Sequence, residues 1–117
     1  MIKNIEINER LEKYICDHSY DLHPVQKDIL NHNNKLGEIK KMQISITQSY
    51  FFQLFIKTNK IKDILEIGTF TGYSALTMGL VIPKNGSVIC LDINKQTSEV
   101  ANNFFKKAKI DKKVKII

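Results

Sequence analysis

Long apolar runs are missing from this sequence. The longest extends for about ten residues, against the roughly 20 a membrane-spanning helix needs. No span or signal peptide is therefore legible, and a cytoplasmic protein with no membrane partner is expected. Cysteine is scarce: Cys16 and Cys90 are the two present, without metal-ligand spacing, and Cys90 falls inside an apolar segment. They read as structural thiols of a reducing compartment, not as a disulfide framework. His18, His23 and His32 show no repeating ligand geometry, which argues for surface or capping roles. Acid is outnumbered, with 12 Asp and Glu against 18 Lys and Arg. The resulting charge of +6 is spread among asparagine and isoleucine, so a solvated lysine-rich surface is the simpler reading and a nucleic-acid face the lesser one. With 117 residues there is room for one domain. A G-x-G-x-x-G fingerprint is also absent, which disfavours a dinucleotide-dependent oxidoreductase.

What is present is concentrated between Ile61 and Asp92, IKDILEIGTFTGYSALTMGLVIPKNGSVICLD. Residues 61–67 are short, aliphatic and flanked by charge, as a buried strand is. Gly68 and Gly72 punctuate a turn, 73–82 reads as a helix packed on a sheet, and Pro83 to Gly86 closes it before a strand over 87–91. Strand, glycine turn, helix and strand make a βαβ unit with parallel strands. Such a turn lets backbone approach a ligand, and the helix start favours an anion or carboxylate. Asp92, at the end of the second strand, suits a ribose diol, at close to the usual spacing of about 20 residues from the glycine turn. Glu66, two residues before Gly68, would repel a pyrophosphate but favour a ligand with a cationic amino-acid end.

Residues 66–74, EIGTFTGYS, resemble the first motif of the class I S-adenosylmethionine-dependent O-methyltransferases. The subgroup most similar is the cation-dependent one of caffeoyl-CoA and catechol O-methyltransferases and their small bacterial relatives. Met42-Gln43-Ile44-Ser45, Leu91-Asp92-Ile93-Asn94 and Ala108 to Val114 fall where that subgroup has similar stretches. The likeness covers residues 35–117 well and the first 35 loosely. It implies a Rossmann-like α/β fold with N-terminal helices over residues 1–58 and a cofactor-binding βαβαβ half over 61–117. It also implies that S-adenosylmethionine is held by Ile44, Glu66, Gly68, Thr69, Gly72, Ser74, Asp92 and Ile93. In that reading Ser74 holds the cofactor carboxylate, Ile44 makes a backbone contact and Asp92 takes the ribose. Gln48-Ser49 departs mildly from the Glu/Gln-Gly pair common in the family.

Before the motif, Ile2, Ile5, Leu11 and Ile15 suggest a loose helix over 1–18, and Pro24 opens a second that Gly37 stops after about Leu36. In the resembled family such helices lie over the cofactor and help form a homodimer; helices that merely cap a sheet fit the residues equally. Ser45 and Gln48 form an S-x-x-Q capping box for a helix over 45–58, whose Tyr50, Phe51, Phe52 and Phe55 read as core. After the motif, Asn94 caps an amphipathic helix over 95–108, and Val114 to Ile117 begins a third strand.

A sheet of this class normally has about six or seven strands. The third strand here, as the last, is expected to be an open apolar edge, with the motif helix and the strands only partly covered. The resemblance places a divalent cation, magnesium, on Asp and Asn side chains after strands four and five, with a lysine nearby, and those segments are not in this chain. No catalytic residue and no metal ligand are therefore assigned to it. The expected reaction is methyl transfer to a hydroxyl of a small catechol-like or acyl-CoA-linked substrate, with this chain alone inactive. The alternatives are a non-catalytic fragment that binds cofactor or a partner, and a tRNA-modifying hydroxyl methyltransferase of the same family.

Overall fold

Three short aliphatic segments pair as a parallel sheet because the connections between them are long enough for helical crossovers. The computed structural model describes residues 4–117. Along the chain run α1 (Glu9–Asp17), α2 (Pro24–Asn33), a short 3-10 helix (Gly37–Met42), α3 (Ile46–Thr58), β1 (Asp63–Ile67), α4 (Tyr73–Gly79), β2 (Ser87–Leu91), α5 (Lys95–Lys107) and β3 (Val114–Ile116). The strand order is β1-β2-β3, all parallel, with Leu65 opposite Ile89 and Val88 opposite Val114.

The motif helix α4 is the centre of the molecule. Tyr73, Ala75, Leu76, Thr77, Met78 and Gly79 are all buried, so the expectation of a partly covered motif helix is corrected. It lies between the sheet and the helices α2, α3 and α5. A Cβ on Gly79 would run into Val114 and Ile110, so the helix can sit that close to β3 because the residue is glycine. Val88, Cys90, Ala101, Phe105 and Val114 complete this core.

The reading of Phe51 and Phe55 as core is also corrected: they are 59% and 50% exposed, Tyr50 and Phe52 are half-buried, and α3 buries Ser49, Gln53 and Ile56 instead. The reason is hydrogen bonding. The Thr77 carbonyl lies in the last turn of α4, where helical carbonyls lose their partners four residues on. Gln53 Nε2 donates to it at 2.8 Å, and Ser49 Oγ lies 3.1 Å from the Tyr73 hydroxyl. Because α3 is apolar on most sides, its pattern gives no direction, and these bonds choose the face. Phe51 and Phe55 stack on each other outside.

Several boundaries also shift. Ile2 lies outside the described residues, Ile5 is exposed, and α1 begins at Glu9, where Asn8 accepts from the Leu11 N–H. Helix α2 does open at Pro24 but stops at Asn33, and Gly37 begins the 3-10 helix. The reciprocal capping box belongs to His23 and Gln26, whereas Ser45 makes its half, accepting from the Gln48 N–H at 3.1 Å. Helix α4 stops at Gly79, three residues short of the expected end, while β2 has the expected limits and Asn94 caps α5.

Among the described residues one face of the sheet is covered and the other is open. Leu65 and Ile67 are 63% and 82% exposed, and Leu91 is exposed beside Ile67 in register. A surface of this kind drives association. Leu65→Thr is expected to change stability by no more than about 0.5 kcal/mol and to reduce self-association in sedimentation velocity. Unchanged association would show that this face is not what makes copies adhere.

Candidate functional site

A cavity of about 470 Å³ opens at the C-terminal ends of β1 and β2. Its floor comes from Glu66, Ile67, Gly68, Thr69 and Phe70 of β1 and the turn, with Tyr73 and Ser74 of α4 and Asp92 beyond β2. The segment Met42 to Ile44, between the 3-10 helix and α3, forms a strap along it, joined by Phe52. Six of the eight expected cofactor residues are brought together here: Ile44, Glu66, Gly68, Thr69, Ser74 and Asp92. Ile93 instead stands fully exposed at an adjoining recess shared by Ile67, Gly68 and Asp92. Gly72 is not on the cavity wall. It is the N-cap of α4 at φ 90°, where an added Cβ would meet Ala101 and Phe105.

Turn geometry explains why the strand end and β2 cooperate. Gly68 (φ 84°) and Gly72 (φ 90°) adopt left-handed backbone, and so does Phe70 at φ 51°. A left-handed non-glycine residue is strained and persists where neighbours hold it. Asp92 supplies that hold. Its Oδ2 accepts from the Thr69 and Phe70 amides at 2.7 and 3.0 Å, and its Oδ1 accepts from the Asn94 amide at 2.9 Å. The Asn94 bond foremost, with those of Thr69 and Phe70, keeps this carboxyl below the usual aspartate range, against partial burial. Asp92 is thus the chain's own anion in the cradle of the turn. Three of about four acceptor positions are occupied, so a ribose diol would share this carboxylate with the turn.

Glu66 is in the opposite condition. Ser74 Oγ donates to its Oε2, while Oε1 is buried with no hydrogen-bond partner among the described residues. Burial raises its carboxyl from 4.5 to about 6, against the bond from Ser74 and the nearby Cys90 thiol and with a smaller push from Asp92. The Ser74 hydroxyl, expected on a ligand carboxylate, is directed at Glu66 in this structure. Thr69 Oγ1 is likewise buried, near the Cys90 thiol. Burial first, then the Glu66 charge, pushes the Cys90 thiol up to about 12, so this cysteine is inert.

The arrangement suits a ligand with a cationic end and a polar sugar: an unpartnered buried acid, a second acid at the strand end, and apolar walls from Ile44, Phe52 and Tyr73. Met42, Gln43, Phe52, Ile67, Phe70 and Tyr73 are wall residues to which the sequence reading gave no role in the site. Phe52 was placed in the core with its neighbours, while Met42, Gln43, Ile67, Phe70 and Tyr73 lay inside the quoted motifs. Among the described residues no three of His, Cys, Asp and Glu gather where they could hold a metal ion.

Known proteins share the sequence pattern and the fold of this chain. The O-methyltransferase family profile matches residues 16–117. A protein of Arabidopsis thaliana carrying a caffeoyl-CoA O-methyltransferase name is 33% identical over 120 residues, spanning 98% of this chain and 51% of the relative. The Podospora anserina methyltransferase with S-adenosylhomocysteine bound superposes with a TM-score of 0.88 at 21% identity, covering 100% of this chain and 52% of that one. The Bacillus cereus O-methyltransferase, also with S-adenosylhomocysteine, gives 0.83 at 23% identity, over 92% and 49% of the two chains. The chain thus spans about half the length of the curated relatives it matches. The helices and the three-stranded parallel sheet are those of the fold of these structures, and the chain belongs to the O-methyltransferase family.

Proposed function

We propose that residues 1–117 are the cofactor-holding part of a single S-adenosylmethionine-dependent O-methyltransferase domain. The observation that carries this reading is the buried, unpartnered Oε1 of Glu66 on the wall of the strand-end cavity. Burying an unpaired carboxylate is unfavourable, and a cationic amino group is the complement that relieves it. S-adenosylmethionine, when bound, supplies an electrophilic methyl group on a sulfonium. Glu66, oriented by Ser74, would take its amino group; Asp92 would hold the ribose while fixing the turn; Gly68 would let backbone lie against it. Ile44, Phe52 and Tyr73 would exclude water, and Ile93 would border the adjoining recess.

The methyl acceptor in this reading is a hydroxyl of a small catechol-like or acyl-CoA-linked molecule in the cytoplasm. The groups that activate it belong to the half of the relatives' length that this chain does not span. No helix of the described residues is long and apolar enough to cross a membrane. A homodimer would use the exposed α3 face of Phe51, Leu54 and Phe55.

Calorimetric titration with S-adenosylmethionine tests the reading. The unmodified chain is expected to bind, and Asp92→Ala to lose binding along with about 1–3 kcal/mol of stability, because the Thr69 and Phe70 amides lose their acceptor. Undiminished binding by the Asp92 variant would remove this residue from the site.

A further inference from the structure

Asn33, the last residue of α2, does not line the cavity, yet its side chain joins two of the segments that do. It is 1% exposed. Its Nδ2 donates to Gln43 Oε1 at 2.6 Å, on the strap, and its Oδ1 accepts from Thr71 Oγ1 at 2.8 Å, in the glycine turn. Thr71 is equally buried, at 1%. Gln43 lies ten residues away in sequence and Thr71 38, so neither bond is a local capping arrangement. Both ends of the amide are satisfied, and losing either partner would leave a buried polar atom unpaired. The turn, strained at Phe70, is therefore fixed from two sides: Asp92 takes its amides, and Asn33 takes the hydroxyl of the next residue.

We propose that Asn33 is a positioning residue that sets the spacing between strap and glycine turn, and through it the affinity of the cavity for S-adenosylmethionine. The affinity part rests on the reading above; the coupling part stands on this geometry alone. Asn33 touches no ligand in this scheme. Its effect is to hold Gln43 and Ile44 in place relative to Thr69 and Phe70.

Thr71→Val tests this, since it removes the hydroxyl at nearly constant volume. Thr77→Val is the matched control: Thr77 is also fully buried and accepts from Gln26 Nε2 at 2.9 Å, but that bond joins α2 to the body of α4 and reaches neither the strap nor the glycine turn. Two readouts are needed, amide hydrogen exchange in the ligand-free chain and calorimetric affinity for S-adenosylmethionine. Thr71→Val is expected to speed exchange at residues 43 and 44 as well as at 69 and 70, and to weaken binding about tenfold, the size of one lost buried hydrogen bond. Thr71→Ser restores both, and Thr77→Val changes neither while losing similar stability. Should Thr71→Val not fold, Gln43→Met approaches the same link from the strap and is expected to speed exchange at residues 69 and 70. Unchanged exchange across the link, or equal loss of affinity in Thr77→Val, overturns the proposal. If the unmodified chain binds no cofactor, the functional reading and the affinity role fail together, and exchange in the ligand-free chain still decides the coupling.

Discussion

Replacing Gly72 with alanine is expected to destabilise the chain by about 2–5 kcal/mol. Two independent terms add. At φ 90° an L-residue carries left-handed strain of about 1–2 kcal/mol. A Cβ there would also meet Ala101 Cβ at 2.8 Å and Phe105 Cε1 at 2.9 Å, both in the buried face of α5. Overpacking of that kind costs about 1–3 kcal/mol. Gly68 provides the contrast. It has similar backbone, φ 84°, but a Cβ would meet nothing within 4 Å. Gly68→Ala should therefore lose only the strain, about 1–2 kcal/mol, while placing a methyl group on the cavity wall and weakening ligand binding more than stability. Urea unfolding of the two variants measures the difference. Equal losses would mean that Gly72 is present for its backbone alone.

Glu66→Gln is expected to act in opposite directions on stability and on binding. Because the folded-state carboxyl is raised from 4.5 to about 6, ionising it in the folded chain costs about 2 kcal/mol more than in the unfolded chain. Between those two values the folded chain holds the proton more tightly, so stability falls as pH rises from about 4.5 to 6 and is level on either side. Glutamine has no such fall. Relative to pH 4, Glu66→Gln at pH 7 should thus gain up to about 2 kcal/mol over the unmodified chain. It should also bind S-adenosylmethionine more weakly, because the negative partner for the amino group is gone. A group that lowers stability when ionised yet lines a cavity is what a binding site looks like before its ligand arrives. Parallel pH profiles for the two proteins would show that Glu66 is solvated and unimportant.

Much of the fold was legible because its signals are local. The limits of β2, the Asn94 cap and the parallel βαβ order follow from a short apolar segment, a capping residue and a glycine turn. The site was legible where the same motif places residues at the strand end, so Glu66, Gly68, Thr69, Ser74 and Asp92 come together. What the sequence concealed depends on distant partners. Which face of α3 is buried is decided by the orphan Thr77 carbonyl on another helix. The structural duty of Gly72 depends on Phe105, and the attachment of Asp92 to the turn depends on a left-handed Phe70. No periodicity announces such contacts. The exposed Leu65 and Ile67 agree with the expectation of partly covered strands, and the unassigned Asn33 shows that a buried amide at a helix end is invisible without its partners.

The most direct measurement is calorimetric titration of the unmodified chain with S-adenosylmethionine at pH 5, 6 and 7. If the amino group of the ligand pairs with the Glu66 carboxylate, only the ionised form binds. Affinity should then tighten about tenfold from pH 5 to pH 7, as the binding-competent fraction grows, and Glu66→Gln should lose this dependence. A folded chain that does not bind, or that binds equally at all three pH values, would contradict the account.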